Sequence, residues 1–197
     1  MTKNEMKKSE MKKTLILESA KKVFMRKGYS NVTMHDIVKE SGISRGGLYY
    51  YYQSVEEIFH NLIAYVQRTD ENSLLPLNSS SYSFIEIFDV FLNEQKKELL
   101  GQVQSLRPVI YEYYLSLEHI ERRHKLKKHY EYVYTYLNQF LSQNVRKSSQ
   151  EIDQLTNHII IILEGLFIQS LTTTLTEAQI NYEFKNLRAL IFNKKKA

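Results

Sequence analysis

Apolar residues recur at helical spacing along almost the whole chain. In the first segment they fall on one side of a helix, since each residue advances a helix by roughly 100°. The residues of this segment are Leu15, Ile16, Ala20, Val23 and Phe24. Gly28 follows them, and glycine readily adopts the left-handed backbone that ends a helix. The pattern predicts a long first helix that ends near Gly28.

Most later helix starts carry a serine or threonine followed three positions on by an acidic or amide residue. Such a pair forms a capping box, in which each side chain satisfies the other residue's free backbone N–H. The pairs are Ser54 with Glu57, Ser83 with Glu86, Ser148 with Glu151, and Thr176 with Gln179. No segment shows the sustained alternation of a strand. We therefore predict an all-α chain of about nine helices, three or four at the N-terminus and five in a C-terminal bundle.

Polar and helix-breaking residues divide the rest of the chain. Pro76 and four serines between Leu75 and Ser83 predict a linker. Gly101 and Pro108 divide residues 84–118 into two helices. Three more helical segments follow at about 119–145, 150–173 and 178–193.

Two short helices around a glycine turn form the most informative segment. The first runs from Thr33, which Asp36 can cap, to Glu40, and the second starts at Ser44 and ends near Tyr50. A Ser-Gly-Ile turn at residues 41–43 joins them, as in a helix-turn-helix unit. The apolar residues that are spaced to pack this unit onto the first helix are Ile37, Val38, Ile43 and Leu48. We predict a helix-turn-helix over Thr33–Tyr52.

The second short helix leaves small, basic and aromatic residues outside the core. Its glycines cost roughly 1 kcal/mol each relative to alanine, which close approach to a groove wall would explain. Arginine can reach a guanine edge or a phosphate, and exposed N–H groups at a helix start favour an anion. Tyrosine can donate its hydroxyl to a phosphate or stack on a sugar or base. These candidate DNA contacts are Ser44, Arg45, Gly46, Gly47, Tyr49 and Tyr50.

The string from Ile16 to Tyr52 reads I-L-x-S-A-x-x-V-F-x-x-K-G-Y-x-x-V-T-M-x-D-I-V-x-E-S-G-I-S-R-G-G-L-Y-Y-Y-Y. Residues 12–60 thus resemble the DNA-binding domain of the TetR family of repressors. The resemblance implies an N-terminal DNA-binding domain over residues 1–53, with a fourth helix leading into a ligand-binding and dimerisation domain over residues 54–197. It also implies phosphate contacts by Thr33 and Tyr49, and base or phosphate contacts by Arg45, Gly46 and Tyr50.

One position departs from the family pattern. Val55 stands at the start of the fourth helix, where the family usually has a lysine that touches phosphate. The departure predicts the loss of one anchoring contact. Lys12, Lys13 and Lys39 are the candidates to replace it.

The charge distribution fits a DNA-binding head, although a generally basic surface would look the same. Residues 1–60 hold 11 Lys/Arg against 7 Asp/Glu, whereas residues 61–197 hold 16 against 15. The first 13 residues are lysine-rich without the apolar core of a signal peptide, and we expect them to form a solvated, mobile arm. The chain has no cysteine, which excludes disulfides and thiolate metal sites and fits a cytoplasmic protein.

The C-terminal part is rich in aromatic residues, most of which core packing would explain. The resemblance adds the expectation of an aromatic-walled pocket for a small effector. Our candidates share helix faces in pairs and are Phe88, Phe91, Tyr111, Tyr114, Tyr130 and Tyr134.

Three histidines, His119, His124 and His129, recur every five residues, a spacing that rotates a helix by roughly 140° beyond a full turn. Their rings therefore share no face, and we expect no metal site. No nucleophile–base set, no glycine-rich phosphate loop after a strand and no HExxH is present. We therefore expect neither catalysis nor a cofactor.

The last two helices carry apolar residues over a wide arc, which requires cover on more than one side. Burial in the monomer core is one explanation, and the family resemblance favours burial against a second copy. The sequence thus predicts a homodimeric repressor that binds a near-palindromic double-stranded operator and is released by a small-molecule effector. The alternatives are an activator with the same fold, or a helical ligand carrier or enzyme with a vestigial head.

Overall fold

The computed structural model of the chain describes residues 3–74 and 83–192, and within them every regular element is a helix. The predicted all-α fold is confirmed. Within these two ranges nine helices follow one another: α1 (Lys3–Lys27), α2 (Met34–Ser41), α3 (Arg45–Tyr51), α4 (Val55–Leu74), α5 (Phe84–Leu99), α6 (Arg107–Ser116), α7 (His119–Asn144), α8 (Ser149–Ser170) and α9 (Glu177–Phe192). The predicted linker lies, apart from Ser83, outside the described residues.

The capping boxes at Ser83 and Ser148 form as predicted. At α9 the hydroxyl of Thr176 donates to the side-chain oxygen of Gln179 and accepts from its backbone N–H. At the start of α4, the predicted box of Ser54 and Glu57 forms in one half only, because the Glu57 carboxylate binds the backbone N–H one residue before Ser54. Ser54 accepts from the backbone N–H of Glu57 at 3.1 Å, but the Glu57 carboxylate accepts from Gln53 N at 2.7 Å.

The lysine-rich N-terminal arm is helical, because α1 begins at Lys3. Lys7, Lys8 and Lys12 are exposed, as expected of a solvated arm, and its mobility stays a prediction. No glycine or proline interrupts the chain before Gly28, and lysine, glutamate and methionine are strong helix formers. Glu10 and Lys13 add an ion pair of 3.6 Å one turn apart on α1.

By their contacts the helices form two compact units. The first contains α1 to α4 together with α6, and its fully buried residues include Ile16, Phe24, Ile58, Phe59 and Leu62. Aromatic rings also pack in this core, where the Phe24 and Phe59 ring centroids lie 4.7 Å apart.

The position of α6 differs from the sequence expectation, which assigned it to the C-terminal bundle. Its contacts place it in the first unit, where Tyr113 is 1% exposed and packs on Phe59. The division at residues 53 and 54 separates DNA binding from ligand binding and dimerisation. Contacts between helices do not test these functions, and this boundary stays a prediction.

The second unit contains α5, α7, α8 and α9. Its core comes mainly from α8 and α9, with Ile159, Ile180 and Leu187 at most 1% exposed. Arg188 on α9 donates to Asp89 on α5 at 2.7 Å. Over the two described ranges, no helix is long and apolar enough to cross a membrane.

Candidate nucleic-acid interface

The start of α2 is fixed by one carboxylate. Asp36 accepts from the backbone N–H of Thr33 at 2.9 Å and from its hydroxyl at 2.7 Å, while Thr33 Oγ1 accepts from Asp36 N at 3.2 Å. Lys27, at the end of α1, reaches the other carboxylate oxygen at 2.7 Å. The hydrogen bond from Lys27 and those from Thr33 hold the pKa of Asp36 well below its usual range. The end of α1 and the start of α2 are thereby tied together.

The turn between α2 and α3 has the predicted geometry. Gly42 has a φ of +68°, in the left-handed region, and its N–H donates to Val38 O at 3.0 Å. Ile37 on α2 and Leu48 on α3 are fully buried, so both helices are anchored to the core by a side chain each. The predicted helix-turn-helix is confirmed as a structural unit.

The two glycines of α3 have different surroundings. A Cβ at Gly47 would lie 2.9 Å from Ile43 Cγ2 and 3.1 Å from Ser44 Oγ, the oxygen that caps the helix by accepting from Gly47 N. A Cβ at Gly46 would meet no atom within 4 Å. The structure therefore explains Gly47 by packing inside the turn, whereas Gly46 faces open space.

The side chains of α3 present a cation and phenol groups outward. Arg45 is exposed, and its guanidinium carbon lies 5.7 Å from the centre of the Tyr49 ring. Tyr50 is 77% exposed and meets Tyr51 edge to face with 5.0 Å between ring centroids. A guanidinium and a phenol hydroxyl at one surface match the acceptors of a nucleic acid.

A cleft lies between the start of α2 and this outer face of α3. Thr33 and Arg45 supply polar groups, and Tyr49 and Val38 supply apolar surface; Met34 and His35 complete the lining. Thr33, Arg45 and Tyr49, all predicted from sequence, are thus brought together. The contact of Thr33 with phosphate stays a prediction, and in the described structure its hydroxyl donates to Asp36.

Sequence reasoning missed His35, which is exposed and lines the same cleft. Its position in the first turn of α2 shows no chemical pattern on its own. Only the packing of α2 against α3 brings it into the same cleft as Arg45.

Val55, where the family has lysine, is half-buried in the first turn of α4. Of the lysines considered as replacements, Lys12 and Lys39 are exposed. Lys13 is half-buried and pairs with Glu10.

The aromatic residues considered as ligand contacts fall in both units. In the second unit, Phe88 is fully buried and Phe91 half-buried, and Phe88 packs with Phe84 and Phe192 at centroid distances of 5.9 and 6.2 Å. In the first unit, Tyr111 is half-buried and Tyr114 is buried, which raises the pKa of Tyr114.

Tyr130 and Tyr134 use their hydroxyls to join α7 to α8. Tyr130 donates to Asn157 Oδ1 at 2.5 Å, and Tyr134 donates to Asp153 Oδ1 at 2.8 Å. Structural bonding therefore explains these two hydroxyls, and a ligand site built from the six aromatic residues stays a prediction.

Two family models match the chain. Residues 16–62 match the model of bacterial regulatory proteins of the tetR family, and residues 86–181 match that of the tetracyclin repressor-like C-terminal domain. Among curated proteins, the HTH-type transcriptional regulator YfiR of Bacillus subtilis (strain 168) is 39% identical over 119 residues. That alignment covers 59% of this chain and 57% of YfiR, so the chain spans just over half the length of this relative.

Solved structures share the fold at low sequence identity. NemR of E. coli, in its reduced form, has a TM-score of 0.73 at 13% identity and covers 93% of this chain and 99% of its own. FadR of Bacillus subtilis, solved in complex with stearoyl-CoA, has a TM-score of 0.64 at 15% identity and covers 91% of this chain and 97% of its own. With both family models matched along the chain and the helix-turn-helix in place, the chain belongs to the TetR family of bacterial regulatory proteins.

Proposed function

We propose that this protein is a transcriptional repressor that binds a near-palindromic operator as a homodimer and is released by a small apolar or aromatic effector. The outer face of α3 carries the proposal. Arg45 and Tyr50 are exposed there, and Gly46 leaves the backbone open to a close partner. An α-helix fits the major groove of B-DNA, which is about 12 Å wide. Such a function places the protein in the bacterial cytoplasm, where the DNA is.

An exposed apolar face on α8 supports a homodimer. Ile161, Gly165 and Ile168 recur at spacings of four and three residues and so lie on one side of the helix. Ile161 is 70% exposed, and a Cβ at Gly165 would meet no atom within 4 Å, which leaves room for a second helix to approach. A twofold dimer would present two α3 helices to successive major grooves, about 34–36 Å apart.

The aromatic cluster of the second unit supports an apolar effector. Phe84, Phe140 and Phe192, from three different helices, pack with centroid distances of 5.3 and 5.6 Å from Phe84. The structural neighbour FadR was solved with stearoyl-CoA, and we extend this to the present chain only as a ligand class with a long apolar part. An effector that binds the DNA-free state of the dimer more tightly than the DNA-bound state would lower DNA affinity. The factor would equal the ratio of the effector's affinities for the two states.

Selection of bound sequences from a random DNA pool tests DNA recognition. The expected product is a near-palindrome whose two half-sites are one helical turn apart. Arg45→Ala should weaken binding to that site by about 1–3 kcal/mol. The matched control is Arg123→Ala on α7, which removes another exposed arginine and should leave affinity unchanged.

Enrichment of no sequence, or equal effects of the two arginine variants, would refute α3 as the recognition helix. A promoter fusion then separates a repressor from an activator by the sign of the change in transcription. Repeating the selection with stearoyl-CoA and with free aromatic compounds tests release, which should appear as lost enrichment.

A further inference from the structure

The connection between α1 and α2 is held by a residue more than eighty positions away. Glu112 on α6 accepts from Tyr29 N with one carboxylate oxygen at 2.8 Å and from Ser30 N with the other at 3.0 Å. Gly28 precedes these residues with a φ of +74°, and the two N–H groups after this left-handed turn both donate to the same carboxylate. Burial raises the pKa of Glu112, but the hydrogen bonds from Ser30 and Tyr29 outweigh it and lower the pKa overall.

The carboxylate lies so close to Gly28 that a side chain there would displace it. A Cβ at Gly28 would lie 2.6 Å from Glu112 Oε2. Hydrogen bonds to a charged acceptor are about twice as strong as those between neutral groups. The carboxylate therefore clamps the backbone of Gly28–Ser30 to α6 at two points.

The next residue of α6 holds the side chain of the same turn. The Tyr113 ring lies 4.7 Å from the Tyr29 ring, centroid to centroid, and 5.3 Å from Phe59. Its hydroxyl donates to Glu56 Oε1 at 3.2 Å and lies 2.6 Å from His60 Nε2. Tyr113 thus joins the turn to the first two turns of α4.

The clamped turn leads directly into the helix-turn-helix, because Thr33, the N-cap of α2, is three residues beyond Ser30. We propose that Glu112 is a positioning residue for DNA binding, which holds the α1–α2 turn on α6 and so keeps α2 and α3 in the arrangement that fits DNA. This inference rests on the proposed function. It makes α6 a component of the DNA-binding unit.

Glu112→Gln in the full-length chain tests this inference, with affinity for the selected DNA measured by fluorescence anisotropy at several salt concentrations. A glutamine oxygen can accept only one of the two N–H groups, and its NH₂ opposes the other. Affinity should fall at least roughly tenfold, because a smaller fraction of molecules holds the competent arrangement. The slope of log K against log salt should stay the same, since no phosphate contact is lost.

The sign of the effect separates positioning from simple electrostatics. A carboxylate repels phosphate, so its removal alone would tighten DNA binding. Glu118→Gln supplies that control, because it removes one exposed acidic charge just after α6, and affinity should stay equal or rise slightly.

Amide hydrogen exchange provides a readout that general destabilisation would not reproduce. In Glu112→Gln, the Tyr29 and Ser30 amides should exchange faster while the Leu48 amide keeps its protection. DNA binding by Glu112→Gln as tight as that of the unaltered chain, or faster exchange at all three amides alike, would overturn the inference. An unaltered chain that selects no DNA overturns the proposed function itself, which distinguishes the two failures.

Discussion

The two adjacent glycines of α3, Gly46 and Gly47, test which positions of this helix are glycine because of packing within the protein and which because of contact with DNA. Gly46→Ala adds a methyl group in open space, and Gly47→Ala adds the same group against Ile43 and Ser44. The variants are matched in chemistry and helix and differ only in the direction of the Cβ. Gly46→Ala should stabilise the fold and weaken DNA binding, whereas Gly47→Ala should do neither.

The magnitudes follow from the geometry. Alanine in a helix is favoured over glycine by about 1 kcal/mol, so Gly46→Ala should raise the free energy of unfolding by that amount and the Tm by roughly 2–4 °C. The same gain at Gly47 is offset, because Ile43 Cγ2, 2.9 Å from the new Cβ, belongs to a stiff branched side chain. Overpacking of this kind costs about 1–3 kcal/mol, which leaves Gly47→Ala neutral or destabilised.

DNA binding should respond in the opposite order. If α3 lies in a groove with Gly46 toward its wall, the added methyl group prevents close approach, and affinity should fall by roughly tenfold or more. Gly47→Ala changes no atom on the open side and should bind DNA in proportion to its folded fraction. Urea denaturation and fluorescence anisotropy on the same protein samples measure both quantities.

Two results would refute the reasoning. Full DNA affinity in Gly46→Ala would show that no partner approaches the open side of α3. Equal stabilisation of both variants would show that the Ile43 contact is relieved without cost, and the packing explanation of Gly47 would fail.

Three further outcomes follow from the surface charges and the apolar face. The partners of Asp36 lower its pKa, so the stabilisation by this carboxylate should be complete above the ordinary aspartate pKa and should decline as the pH falls below that value. In urea titrations, Asp36→Asn should have a lower free energy of unfolding than the unaltered chain at pH 7, and the difference should shrink toward pH 3. The double variant Lys12→Gln, Lys13→Gln should reduce the slope of log K against log salt for DNA binding by about 0.9 per lost phosphate contact. The control is Lys127→Gln, Lys128→Gln, which removes two neighbouring lysines of α7 and should leave the slope unchanged. Equal slopes in the two double variants would show that the α1 lysines do not replace the family lysine. In light scattering, Ile161→Glu should convert the dimer to a monomer. The control, Ile120→Glu, changes a residue that is 85% exposed on α7 and should leave the protein dimeric. A dimer that persists in Ile161→Glu would exclude the α8 face as the dimer interface.

The parts of the fold that sequence predicted well depend on local chemistry. Helix starts at Ser83 and Ser148 follow from a box of two side chains three residues apart, and the turn at Gly42 follows from the need for a positive φ. These signals are complete within four residues of sequence. At the N-terminus the local signals point two ways, because lysine-rich composition is typical of a solvated arm and the same residues are good helix formers.

The candidate site was only partly predictable, because its chemistry depends on which helices meet. Arg45 and Tyr50 could be identified from residue type and position on α3. The different reasons for Gly46 and Gly47 could not, since they depend on where each Cβ would point relative to Ile43. His35 enters the site only through the packing of α2 on α3.

The role of α6 shows why a short N-terminal pattern is an incomplete description of this DNA-binding unit. The motif that resembles the family ends near Tyr52, yet the two N–H groups that follow Gly28 are satisfied by a carboxylate from residue 112. Sequence alone gives no reason to pair them, because Glu112 stands among tyrosines on a helix whose apolar pattern fits either unit. Tyr29 is half-buried, so leaving its N–H unpaired would cost free energy, and Glu112 supplies the acceptor. The acceptor of the Tyr29 and Ser30 N–H groups lies on α6, whose Tyr113 also contacts Glu56 at the start of α4. The sequence pattern of the N-terminal helices indicates neither contact.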